Sequence, residues 1–215
     1  SFRRMRKAWF EENAFSFVPE SSSPRFIDCG AGIGLGIIYY KNTYPGCRIL
    51  AFEADPSIFG LLQRNCETHR YSEHVELVKK ATWTSTGTAT FLQSQGVGGR
   101  IVNTEPTGLP TITVECVRLR DILLTERVDL LRLDIGGAEA AVLEDCADVL
   151  ENVEHVLIEH DSTIDEPQTL DRVVSTLTRG GYRLHVKHHL AAQRPFFVRP
   201  VSETIDLRLH IYAFR

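Results

Sequence analysis

Phe26-Ile27-Asp28-Cys29-Gly30-Ala31-Gly32-Ile33-Gly34 is the stretch on which the fold turns. Apolar residues surround one acidic residue and then give way to alternating glycines. Such a run reads as a short strand, Arg25–Cys29, closing on a tight turn, with a helix following through about Tyr40. A helix N-terminus presents free N–H groups and partial positive charge, and glycine lets a ligand approach the backbone closely. Junctions of this kind are where doubly wound sheets hold nucleotide-like ligands.

Outward from that turn, strand and helix patterns alternate. Arg48–Ala54 reads as a second strand, and Pro56 opens a second helix, since proline suits a first helical turn. Ile58, Leu61, Leu62 and Cys66 keep its helical period. Val75–Ala81 reads as a third strand. Thr88–Gln93, a glycine-rich loop at Gln95–Arg100 and Thr111–Leu119 form a small β-rich insert. The alternation resumes with strand Val128–Ile135, helix Ala138–Leu150, strand Val153–Glu159 and a helix over Gln168–Arg179 that stops at Gly180-Gly181. Strands Tyr182–Lys187 and Thr204–Phe214 finish the chain with no helix between them. The pattern predicts an α/β fold: a Rossmann-like, mostly parallel sheet with helices on both faces and an antiparallel C-terminal edge.

The chemistry of the loop narrows its ligand. Glu53 falls at the end of the second strand, where a carboxylate can accept hydrogen bonds from both ribose hydroxyls. A dinucleotide fingerprint would place its third glycine at Leu35, and no lysine stands at the spacing of a phosphate-binding loop. Asp28 before the first glycine would repel a pyrophosphate but suits the ammonium of a methionine moiety. S-adenosyl-L-methionine (SAM) carries that ammonium and no phosphate.

With 215 residues, 43% hydrophobic and 24% charged, the composition suits one α/β domain. Ser21-Ser22-Ser23-Pro24 reads as a linker, dividing an N-terminal segment (1–23) from the main domain (24–215). That segment mixes basic residues with Trp9, Phe10, Phe15 and Phe17, and reads as a helix packing its aromatics on the domain, or else as a lid or partner-binding arm. A net charge of −4 offers no basic field for a nucleic-acid backbone. No apolar run approaches the roughly 20 residues that cross a bilayer. Five scattered cysteines without C-x-x-C spacing read as reduced thiols, for which a cytoplasmic location is expected.

Three stretches carry a resemblance to a known family. They are Phe26 to Gly34, then Leu50-Ala-Phe-Glu-Ala-Asp-Pro56 with Leu61, Leu62 and Asn65, and Val128-Asp-Leu-Leu-Arg-Leu-Asp-Ile-Gly-Gly-Ala-Glu139 with Val142 and Leu143; Val156-Leu-Ile-Glu-His160 adds weakly. The chain thereby resembles the FkbM family of class I SAM-dependent methyltransferases. The resemblance implies a seven-stranded sheet and methyl transfer from SAM to a hydroxyl of a small sugar-like or natural-product acceptor. It also implies that Asp28, Gly30 and Gly32 hold the methionine end with Ala31 among the cofactor-binding residues, that Glu53 takes the ribose with Ala54 beside the adenine, and that Ala81 or Thr82 flanks the base. Asp134 would stand beside the transferred methyl. The chain departs from the family pattern at Gly32, Ala54, Arg132 and Gly136, where Asn, Pro, Lys and Glu are usual; loss of the Glu removes a carboxylate from the acceptor side.

Asp134 ends an apolar strand, where it can orient or deprotonate an acceptor hydroxyl, hold the SAM ammonium, or simply cap the next helix. His160 is a second candidate base, because an imidazole titrates near neutrality. Glu139 falls in a first helical turn, where the dipole accounts for it without catalysis. His185 and His189 share a strand face while His188 points away, so no metal site is expected. Two rival functions remain: a nicotinamide-dependent oxidoreductase, and a degenerate methyltransferase that binds SAM or a partner without turnover.

Overall fold

Strands form where apolar residues run unbroken, and the central ones are buried on both faces because helices cover each side. The computed structural model describes residues 7–11, 13–71, 73–93, 99–102, 109–164, 166–194, 196–197 and 205–215. In chain order the elements are β1 (Arg25–Cys29), α1 (Leu35–Thr43), β2 (Arg48–Phe52), α2 (Pro56–Thr68), β3 (Val75–Val78), β4 (Ala81–Trp83), β5 (Gly87–Leu92), β6 (Arg100–Ile101) and β7 (Thr111–Arg118). There follow α3 (Leu119–Leu123), β8 (Val128–Leu133), α4 (Glu139–Asp145), β9 (Val153–Thr163), α5 (Leu170–Arg179), β10 (Arg183–Ala191) and β11 (Ile205–Phe214).

Seven strands form the main sheet in the order β10-β11-β9-β8-β1-β2-β3. β1 pairs in parallel with both β2 and β8, and β8 with β9. The antiparallel C-terminal edge is the β10–β11 pair. A helical crossover through α5 sets β10 parallel to β9 but one position out, and β11 returns antiparallel into the slot between them. β4, β7, β5 and β6 make the separate insert sheet.

Side chains alternate between the two faces, so each strand feeds two cores. Ile27, Leu131, Leu133, Val156 and Ile158 pack with α3, α4 and α5 through Leu119, Leu143 and Val173. Phe26, Ile49, Leu130 and Leu157 pack with α1 and α2 through Ile37, Tyr40 and Leu62. Trp9 and Phe15 of the N-terminal segment complete this second core.

Several boundaries differ from the sequence expectation. The expected strand Val75–Ala81 is two strands: β3 stops at Val78, and after the Lys79-Lys80 turn, where Lys80 pairs with Glu115 at 3.0 Å, β4 joins the insert sheet. Arg48–Ala54 stops at Phe52, because Glu53 turns its carboxylate onto local backbone. The helix expected to reach Leu150 ends at Asp145, which Arg118 holds at 2.6 Å, and a short 3-10 turn follows. Leu119 opens α3 rather than closing a strand. The expected N-terminal helix is one π-helical turn, Lys7–Glu11, and then irregular chain, although its aromatics pack inward as expected. Most of the glycine loop at Gly96–Gly99 lies outside the described residues. All five cysteine thiols are buried and free. Among the described residues no helix is long and apolar enough to cross a membrane.

Candidate active site

The site lies at the carboxyl ends of β1, β2 and β8, where the sheet order reverses. Gly30 turns there with φ +84°, and a Cβ on it would fall 1.9 Å from the Asp134 carbonyl oxygen. Only glycine fits: the loop after β1 is pressed against the end of β8, and the Asp134 N–H donates to the Cys29 carbonyl at 3.0 Å. The N–H groups of Gly30 and Ala31 donate to the Phe52 carbonyl at 3.0 and 2.8 Å, tying the loop to β2.

Glu53 completes that tie. Its carboxylate accepts from the Gly32 N–H at 2.9 Å and from the Asp55 N–H at 2.8 Å. Burial raises its pKa, while these backbone donors pull the other way. Asp55 in turn caps α2, accepting from the Ser57 and Ile58 N–H groups, and its other oxygen accepts from the Gln93 amide of the insert at 2.9 Å. The glycine turn, Glu53 and Asp55 are therefore one connected unit. Ala54 and Ala81 lie together against Phe91 of the insert. Thr82 does not join them, being turned inward beside Cys29.

Asp28 is 2% exposed, so it reaches outward only through a neighbour. That neighbour is Arg132, its register partner on β8. The guanidinium donates to Asp28 at 2.8 Å, to the Gly30 carbonyl at 3.0 Å and to Asp134 at 2.5 Å. Trp9 roofs it, with the Arg132 guanidinium carbon 5.7 Å from the ring centroid. Burial opposes the arginine's charge, but Asp28 and Asp134 outweigh it and hold the guanidinium firmly protonated.

Asp134 faces the same way as Glu159 of β9. Burial, and then the Glu159 charge, push the Asp134 carboxyl well above the usual range, against Arg132 and Arg208. Burial would raise Glu159 too, but a hydrogen bond with His210 at 2.7 Å and the nearby Arg208 hold it well below that range. Of the two carboxyls, Asp134 is therefore the more readily protonated. Arg208 also forks onto Asp161. The network pairs Asp28, Asp134, Glu159 and Asp161 with the guanidiniums of Arg132 and Arg208 and the imidazole of His210.

His160 is not part of this network. It is 0% exposed on the opposite face of β9, as the pairing of Leu209 with His160 beside His210 with Glu159 requires. Burial lowers its pKa, and neither ring nitrogen has a hydrogen-bond partner. Glu139 folds back at the start of α4, where one oxygen accepts from the N–H groups of Ile135 and Gly137. Gly136 has φ +68°, and a Cβ there would lie 2.8 Å from the Arg100 Cβ, so the insert strand β6 fills the space where a longer side chain would extend. Among the described residues no group of three or more His, Cys, Asp or Glu is placed to hold a metal.

Sequence reasoning missed Arg132 as the hub, the Glu159–His210 and Arg208–Asp161 pairs, and the roof over them. A signal existed for the first: an arginine inside the apolar run Val128–Ile135 must be paired if that strand is buried.

A doubly wound sheet with a glycine turn after its first strand and a carboxylate at the end of its second is the architecture of nucleotide-cofactor-binding α/β proteins, class I methyltransferases among them. Comparison with known proteins makes this specific: residues 28–184 match the methyltransferase FkbM domain, and the chain belongs to that family. It is 28% identical over 171 residues to methyltransferase sdnD of Sordaria araneosa, covering 64% of this chain and 66% of that one. To methyltransferase 1 of Beauveria bassiana it is 27% identical over 180 residues, covering 69% and 70%. Among solved structures, methyltransferase FkbM from Methylobacillus flagellatus superposes with a TM-score of 0.59 at 16% identity, over 95% of this chain and 47% of that one. Aeropyrum pernix fibrillarin, solved with natively bound S-adenosyl-L-methionine, shares the fold with a TM-score of 0.52 at 16% identity. The chain thus spans about two thirds of the curated relatives it matches and about half of the solved FkbM structure.

Proposed function

We propose that this chain transfers a methyl group from SAM to a hydroxyl of a small sugar-like or natural-product acceptor. The observation that carries the reading is the connected unit of the glycine turn and Glu53, joined through Arg132 to Asp28 and Asp134. Bound SAM supplies a methyl on a positively charged sulfur, with a neutral thioether as leaving group. The residues present suit that ligand. The Glu53 oxygens accept one N–H each and retain lone pairs for two ribose hydroxyls. Ala54 and Ala81 offer short side chains for the adenine beside Phe91.

The chain's own part in the chemistry is small and positional. Holding the acceptor oxygen in line with the methyl carbon contributes most of the rate. Bound SAM would supply the methyl to that oxygen with its thioether as leaving group, and Asp134, in its ionised form, would take the hydroxyl proton. Arg132 fixes the direction of that carboxylate and favours its ionised form, while Asp28 holds Arg132. His160 is too deeply buried to take the proton and has no part in the proposal.

The test is turnover with isotopically labelled SAM across a panel of sugar and polyketide alcohols. Label transferred to an oxygen of at least one acceptor supports the reading. Tight SAM binding with no labelled product from the panel would favour binding without turnover.

A further inference from the structure

The sheet face that carries the Asp134 network also carries, nearer the other end of its strands, a cavity that the chemistry above does not use. Its volume is about 400 Å³, within the range that holds small organic ligands. The floor is Leu130 and Leu157 of β8 and β9, and the roof is Phe15 and Phe17 of the N-terminal segment, with Tyr212 of β11 closing one side. Basic groups gather at its edge: His155 from β9, and the exposed His185 and Lys187 from β10.

These groups are held in place. Lys187 Nζ lies 5.9 Å from the centroid of the Tyr212 ring, and His185 packs on the same ring with centroids 5.9 Å apart. The His155 ring sits 4.6 Å from Phe17 while its Nδ1 meets the Asp129 carbonyl at 3.1 Å, which leaves Nε2 for a ligand. The Arg215 side chain turns away to the Leu150 carbonyl and the Tyr182 ring, and adds nothing to the cavity's charge. None of the described lining residues is Asp or Glu. The described lining thus carries the Lys187 ammonium and no side-chain carboxylate, in a chain whose net charge is −4.

We infer that this cavity is a second binding site, distinct from the methyl-transfer site, for an amphipathic organic anion: a carboxylate at Lys187 and His185 with an apolar body under Phe15 and Phe17. The apolar interior favours any hydrocarbon of suitable size, and the basic edge selects the ionised head over a neutral one. Phe15 also links the cavity to the Asp134 network, since its ring packs 4.2 Å from Trp9, which in turn roofs Arg132. Occupancy is therefore read out at Trp9.

Titration of the 215-residue chain with decanoate and with decan-1-ol, followed by calorimetry and tryptophan emission, tests the inference. Decanoate is expected to bind saturably with one-to-one stoichiometry and at least tenfold more tightly than the alcohol. Lys187→Glu is expected to weaken decanoate at least tenfold while leaving decan-1-ol and SAM affinities unchanged; a thermal melt matching the parent chain confirms that the variant is folded. Lys187→Met, which keeps the stem and removes the charge, is expected to fall between. Equal affinities for acid and alcohol, indifference to Lys187→Glu, or no saturable binding of decanoate would each overturn the inference.

Discussion

Arg132 holds three oxygens at once: one of Asp28, the Gly30 carbonyl and one of Asp134. The planar guanidinium does this from two nitrogens in a fixed fork, Nη1 serving Asp28 and Gly30 and Nη2 serving Asp134, whereas an ammonium would have to serve all three from one nitrogen. Four predictions belong to this scale. Asp134→Asn preserves size and hydrogen-bonding capacity but cannot take a proton, so turnover is expected to fall by roughly 10²–10⁴ with SAM affinity largely kept; a mere helix cap would tolerate the change almost silently. The wild-type rate is expected to rise with pH through a midpoint above the ordinary carboxylate range, because burial and Glu159 raise the Asp134 pKa and the base works only once ionised. Arg132→Lys is expected to move that midpoint less than Arg132→Met, which removes the charge that favours ionisation and shifts the profile further upward. Glu53→Ala is expected to weaken SAM binding by roughly 1.5–3 kcal/mol through lost hydrogen bonds to a charged acceptor, measured by calorimetry. The positions of Asp28 and Glu53 were legible in the sequence because Asp28 directly precedes the glycine turn and Glu53 follows an apolar strand. The Asp28–Arg132 contact was not, since it joins positions 104 apart and depends on strand order.

Elements were legible where period and punctuation agreed and blurred where tertiary contacts set the ends. α2 starts at Pro56 with Asp55 as its cap, as its residues announce. The expected strand Val75–Ala81 broke because the insert sheet claims Ala81 through pairing with β7, a non-local contact. The turn between β8 and α4 carries two further predictions. Gly136→Ala forces a left-handed backbone on an L-residue and drives its Cβ against Arg100, so a loss of about 1–3 kcal/mol in denaturant unfolding is expected. Glu139 is fully buried, and burial, partly opposed by its backbone donors, pushes its pKa up to about 7 from 4.5. The unfolded chain releases that proton near pH 4.5 and the folded chain holds it to about 7, so the folded state binds more protons in this window. Stability therefore falls as pH rises from 4.5 to 7, by an amount on the order of 3 kcal/mol for this group. Glu139→Gln is expected to flatten that slope in urea melts at pH 5 and pH 8. An unchanged slope would place its origin in another buried acid.

For the whole molecule, the parallel sheet and the place of its site follow from alternation and one glycine turn, since few topologies satisfy both. The roof over Arg132 was less legible, because aromatic content alone does not say where an N-terminal segment docks. Trp9 takes part in the architecture of the site, and the insert reaches it from the other side through Gln93 and Arg100. The central claim, that this assembly is built for SAM, is tested most directly by isothermal titration of the wild-type chain with SAM, its demethylated product, NAD and NADP. Saturable one-to-one binding of SAM and its product, with no measurable binding of either nicotinamide cofactor, is the result predicted. NAD or NADP binding in preference to SAM would contradict it.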